Sequence, residues 1–163
     1  MSFIQDLDAF KKSFAALPVT AFEPGETVLA AGSATGRLFI LRRGVAEVLR
    51  DGQQIAVISE PGAVFGELAL ILDKPHTADV RAVERCEFHV AEASALLGEN
   101  KAALLYVTAM LAQRLDAANE VIVEIKRDLD PEKRPGMLKK ALEKLEKLLV
   151  PTGPIPEYYY YPY

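Results

Sequence analysis

Residues 65–82 read Phe65-Gly66-Glu67-Leu68-Ala69-Leu70-Ile71-Leu72-Asp73-Lys74-Pro75-His76-Thr77-Ala78-Asp79-Val80-Arg81-Ala82. The order is a strand end, a glycine, a short apolar helix over 67–72, a turn at Pro75 and a return strand. These types at this spacing suit the holding of an anion. Gly66 has no Cβ, so a ligand can come close to the backbone there. The N–H groups at the start of the 67–72 helix would point at a negative group, helped by the helix dipole. Glu67, at the same helix start, can accept hydrogen bonds from a sugar hydroxyl, because an ionised carboxylate is acceptor-only. The same carboxylate could instead serve only the helix end.

Other chemistries find little support. Ser33, Ser59 and Ser94 lack the sharp strand-to-helix context of a nucleophile. No nucleophile is paired with a base, so no enzyme is expected. His76, His89 and Cys86 are too few and too scattered for a metal site, and no cofactor is expected. With one cysteine no intramolecular disulfide can form, which fits a reducing, cytoplasmic setting. The net charge of −4 is not the basic footprint of a nucleic-acid binder. Acids at Asp6 and Asp8 stand where a secretory signal would carry basic residues. No run of about 18 apolar residues exists, so no membrane span or membrane partner is expected.

The surrounding elements must position this stretch. Phe3, Leu7, Phe10 and Phe14 mark one face of a packing helix that ends before Pro18. From Val19 to Ala91 short β-rich runs alternate with turns. They are Thr27–Leu29, Leu38–Leu41, Val45–Leu49, Ile55–Ile58, Ala78–Ala82 and Cys86–Val90. Asp51-Gly52 predicts a tight hairpin, because both residues tolerate positive φ. Val80 and its neighbours at 78 and 82 should face inward, with Asp79 and Arg81 outward. Many short strands without intervening helices predict a sandwich or barrel.

From about Glu92 the pattern is helical. Leu104, Thr108, Leu111, Leu115, Ala118, Ile122, Ile125 and Leu129 follow a 4-3 spacing, which predicts a seam for a partner helix and a homodimer through residues 101–129. Packing on the chain's own barrel is the alternative. Asp130-Pro131 and Pro135-Gly136 break the helix, and an accessory amphipathic helix is expected within 130–150. Residues 151–163, rich in proline and tyrosine, are expected to be a disordered tail.

The 65–82 stretch resembles the phosphate-binding cassette of the cyclic-nucleotide-binding domain family, of stand-alone bacterial type. Relatives include the catabolite activator protein and the regulatory subunits of protein kinase A. The likeness also takes in Pro24-Gly25-Glu26, Gly32, Leu38-Phe39-Ile40, Gly44 and Gly62, and spans residues from about 15 to 125. It implies a mainly β fold with flanking helices, an eight-stranded β-roll followed by long C-terminal helices, with residues 1–129 as one domain. It implies that Gly66, Glu67, Leu68 and Ala69 line a phosphate–ribose pocket. Glu67 would take the ribose 2′-hydroxyl, and Thr77 would offer its hydroxyl and N–H to the cyclic phosphate. Asn119 falls where relatives place polar base contacts; a solvated helix residue is the alternative. The ligand implied is cAMP or cGMP.

One residue departs from the family. Arginine is usual at the position of His76, where it pairs with the phosphate. Histidine has fewer donors than the permanently charged guanidinium, and its charge is conditional near its ordinary pKa of ~6.5. Lys74 is a nearby cation, though a solvated turn lysine is its simpler role. With only 34 residues after Leu129, no DNA-reading output domain is expected, so a partner protein would read the C-terminal helix. A degenerate fold that binds no ligand and acts as a dimerisation or interaction module is the competing expectation. A cupin-like metal enzyme is a second rival, for which two histidines are too few.

Overall fold

The computed structural model describes residues 14–128, and beyond them Gly136, Leu138, Lys140, Ala141, Glu143 and Leu145, which are helical. The expected N-terminal helix, accessory helix and tail otherwise lie outside the described residues. Phe14–Ala16 form one 3₁₀ turn.

Eight strands follow: β1 (Val19–Phe22), β2 (Thr27–Leu29), β3 (Arg37–Arg43), β4 (Ala46–Arg50), β5 (Gln53–Ile58), β6 (Val64–Phe65), β7 (Asp79–Ala82) and β8 (Cys86–Glu92). Helix α1 (Glu67–Ile71) sits between β6 and β7, and α2 (Ala93–Glu99) and α3 (Lys101–Asp128) follow β8. Two four-stranded antiparallel sheets result, ordered β1-β8-β3-β6 and β2-β7-β4-β5. Most neighbours in space are distant in sequence, as in a β-roll. The chain divides into two compact units, with the boundary between Val107 and Thr108 inside α3.

The hairpin at Asp51-Gly52 forms as the sequence predicts, with φ of 52° and 77°. Between the sheets lie Val28, Leu29, Phe39, Leu41, Ala46, Phe65, Val80, Ala82, Cys86 and Phe88. Val80 and Ala82 point inward and Arg81 outward, as alternation requires. Arg81 is committed to Glu47 through Nε at 2.7 Å. A hydrogen bond from Gln54, and after it the one from Arg81, hold the Glu47 carboxyl below its ordinary pKa.

Tyr106 ties the start of α3 to the roll. Its ring meets Phe14 edge-on at 5.6 Å, and its hydroxyl donates to the Gly62 carbonyl at 2.8 Å. Burial pushes the phenol up from its ordinary pKa. Gly62 lies two residues before β6, the strand that leads into Gly66. Tyr106→Phe removes this one bond and leaves the ring. An expected loss of about 0.5–1.5 kcal/mol in unfolding free energy would be read by urea titration. An unchanged midpoint would remove the hydroxyl from the tie.

Candidate ligand-binding site

Gly66 adopts φ +95° and ψ −6° as the residue that starts α1. A Cβ there would lie 2.6 Å from the Arg37 carbonyl oxygen, so only glycine lets β6 turn into α1 against β3. Gly66, as the cap residue, makes no side-chain cap hydrogen bond to α1. The helix is five residues long because its far end is closed at once. Asp73 takes the left-handed conformation, φ 46°, a position that Asp tolerates better than most residues. Its N–H donates to the Leu70 carbonyl at 3.3 Å, and the Lys74 N–H donates to the Ala69 carbonyl at 3.0 Å. This pair of bonds is the Schellman end of a helix. It delivers Asp73, Lys74 and Pro75 to the rim of a cleft.

The opposite wall is the loop between β2 and β3. The His76 N–H donates to the Ser33 carbonyl at 2.9 Å, and the Gly32 N–H donates to the His76 carbonyl at 2.8 Å. Asp79 accepts the Ala31 N–H at 2.7 Å. The Thr35 hydroxyl lies 3.0 Å from His76 Nε2 and accepts the Arg37 N–H at 3.3 Å. The Ala93 N–H, at the start of α2, donates to the Gly36 carbonyl at 2.9 Å, so the loop is tied to the helices that follow.

The cleft between these walls measures about 670 Å³. That lies within the roughly 300–1,000 Å³ of small-ligand sites. Of the candidate ligand residues, Gly66, Ala69, His76 and Thr77 line it. Glu67 is buried at 4% exposure, at the start of α1, and is not among the lining residues. Leu68 is 41% exposed and does not line the cleft either. Asn119 is a half-buried residue of α3 whose Oδ1 is buried without a hydrogen-bond partner among the described residues, and it too is absent from the lining.

The structure adds Thr35, Arg37 and Asp73 to the lining, and brings in Lys74. Nothing in the sequence pairs Thr35 with a histidine 41 positions away. The signal available for Arg37 is a cation at a strand start before four apolar residues. His76 is 7% exposed, and burial pushes its pKa below the ordinary value. The imidazole is therefore held towards its neutral form.

A β-roll with a short helix between its sixth and seventh strands, and a cleft at that helix, defines a class of ligand-sensing domains. Residues 19–99 match the family model of the cyclic nucleotide-binding domain, and the chain belongs to that family over this stretch. It is 41% identical over 63 residues to a cGMP-dependent protein kinase of Plasmodium berghei, covering 39% of this chain and 7% of the kinase. The chain thus spans a small fraction of that relative's length. Its fold is similar to the Thermus thermophilus catabolite activator protein, with TM-score 0.59 and 22% identity over 75% of this chain and 59% of the other. It is also similar to cAMP-bound PfPKA-R, with TM-score 0.56 and 25% identity over 79% and 44% of the two chains. No helix of the described residues is long and apolar enough to cross a membrane.

Proposed function

We propose that the chain is a regulatory sensor that binds cAMP or cGMP in the 670 Å³ cleft and passes the event to a partner through α3. The observation that carries this reading is the family match over residues 19–99, which contains the cleft's β-roll walls. The cGMP-dependent kinase and the cAMP-bound regulatory chain among the relatives support a cyclic nucleotide as ligand.

In this reading the cyclic phosphate lies against Gly66, Ala69, His76 and Thr77. Glu67, one residue from Gly66, takes the ribose 2′-hydroxyl. Ligand would order the cleft wall at Gly36, which holds the first residue of α2, and so bias the packing of the helices. Leu115, Val121, Val123 and Ile125 are large apolar side chains exposed on α3, and a homodimer would cover part of this surface. A cytoplasmic setting belongs to the same reading.

Titration calorimetry of the chain with cAMP and with cGMP at pH 6 and pH 8 tests it. Saturable heat with at least one nucleotide is expected. Glu67→Ala should weaken that binding by roughly ten- to a hundred-fold, the loss of a charge-assisted hydrogen bond. Parent-like binding by this variant would reject the ribose contact. No heat and no thermal shift at millimolar nucleotide would leave a ligand-free interaction module.

A further inference from the structure

We infer that Arg37, on β3, supplies the fixed positive charge that holds the ligand's phosphate. The inference rests on the cyclic-nucleotide reading of the cleft. Its grounds are the placement and the partners of the charged groups around that cleft.

Arg42 and Arg43 are both spent on Glu87, Arg81 on Glu47 and Arg85 on Glu23. The Arg37 guanidinium has no ion pair or hydrogen bond among the described residues, yet Arg37 lines the cleft. Its own carbonyl oxygen abuts Gly66, which places its backbone at the floor of the proposed phosphate site. Its N–H shares the Thr35 hydroxyl with His76, so the same loop fixes both residues.

The charge balance points the same way. Asp73 and Lys74 both line the cleft, and their formal charges cancel. With a neutral His76, an anionic phosphodiester would meet a lining of no net charge were Arg37 absent. A guanidinium is charged at every relevant pH and can present two parallel donors to phosphate oxygens. Lys74 is a point charge beside a carboxylate and cannot do the same.

The experiment is calorimetry of the whole chain with cAMP and cGMP at pH 8.5, where His76 is neutral in the unliganded protein. Arg37→Gln is expected to weaken binding ten- to a hundred-fold, and Arg37→Lys by less, because charge remains while the fork is lost. Arg50→Gln removes an equal charge at the β4–β5 hairpin and should stay within about twofold of the parent. Adding His76→Arg to Arg37→Gln should restore affinity, which lost folding could not explain; thermal melts check each variant. If the parent binds and Arg37→Gln binds within twofold of it, the inference is overturned and the cyclic-nucleotide reading stands. If the double variant stays as weak as Arg37→Gln, the phosphate assignment of Arg37 is likewise overturned. If the parent takes up neither nucleotide, the cyclic-nucleotide reading itself fails and the inference falls with it.

Discussion

Phe88→Ala is expected to lower the unfolding free energy by about 3–5 kcal/mol. Phe88 is fully buried on β8, which runs between β1 and β3. Three rings meet it near edge-on: Phe22 at 5.7 Å, Phe39 at 6.2 Å and Phe65 at 5.9 Å. These residues come from β1, β3 and β6, so this ring touches every other strand of its sheet. Truncation loses the transfer of a large apolar side chain and leaves a cavity, because three rings fixed on separate strands collapse poorly into the space. The thermal midpoint should fall by roughly 12 °C or more, at about 4–8 °C per kcal/mol for a domain near 100 residues. Leu115→Ala is the contrast: its side chain is 53% exposed, and such surface changes usually stay within about 0.5 kcal/mol. A calorimetric loss below about 1 kcal/mol for Phe88→Ala would mean the aromatic cluster does not organise the roll. The cluster also reaches the cleft, since Phe65 is the residue before Gly66.

What is legible in the sequence is what depends on near neighbours. Asp51-Gly52 specifies its hairpin through two adjacent residues at positive φ, and alternation in β7 places Val80 inward and Arg81 outward. The cleft residues Gly66, Ala69, His76 and Thr77 lie within twelve positions of one another, so one local motif contains them all. What is not legible depends on distant pairing. The two-residue strand β6 exists because Phe39 pairs with Phe65 and Ile40 with Val64, and two residues have no period to detect. β1 is defined by its register with Cys86–His89, far along the chain. The Thr35 contact to His76 crosses 41 positions and follows from the loop wall alone. On α3, Leu104, Leu115 and Ile125 are exposed, whereas Leu111 and Ile122 are half-buried.

The affinity for a cyclic nucleotide should rise as pH falls from 8 towards 6, and His76→Arg should tighten binding at pH 8 by roughly ten- to a hundred-fold while removing that slope. In the unliganded protein burial lowers the His76 pKa below its ordinary value of 6.5. A bound phosphate raises it by favouring the imidazolium. Between the bound-state and unliganded pKa values the complex holds a proton that the unliganded protein lacks. Binding therefore takes up a proton, and the affinity gains at most about tenfold per pH unit lowered. The other charged groups lining the cleft are Arg37, Asp73 and Lys74. The unliganded fold responds with the opposite sign. A histidine with a lowered folded-state pKa contributes stability that is complete above about 6.5 and is lost as pH falls through the folded-state value. Acid thus weakens the empty fold while strengthening its grip on the anion, and ligand-induced thermal shifts should be larger at pH 6 than at pH 8. Calorimetry in buffers of different ionisation enthalpy counts the proton directly. A pH-independent affinity with no proton uptake would place the phosphate away from His76, and a His76→Arg variant that binds no better than the parent would do the same.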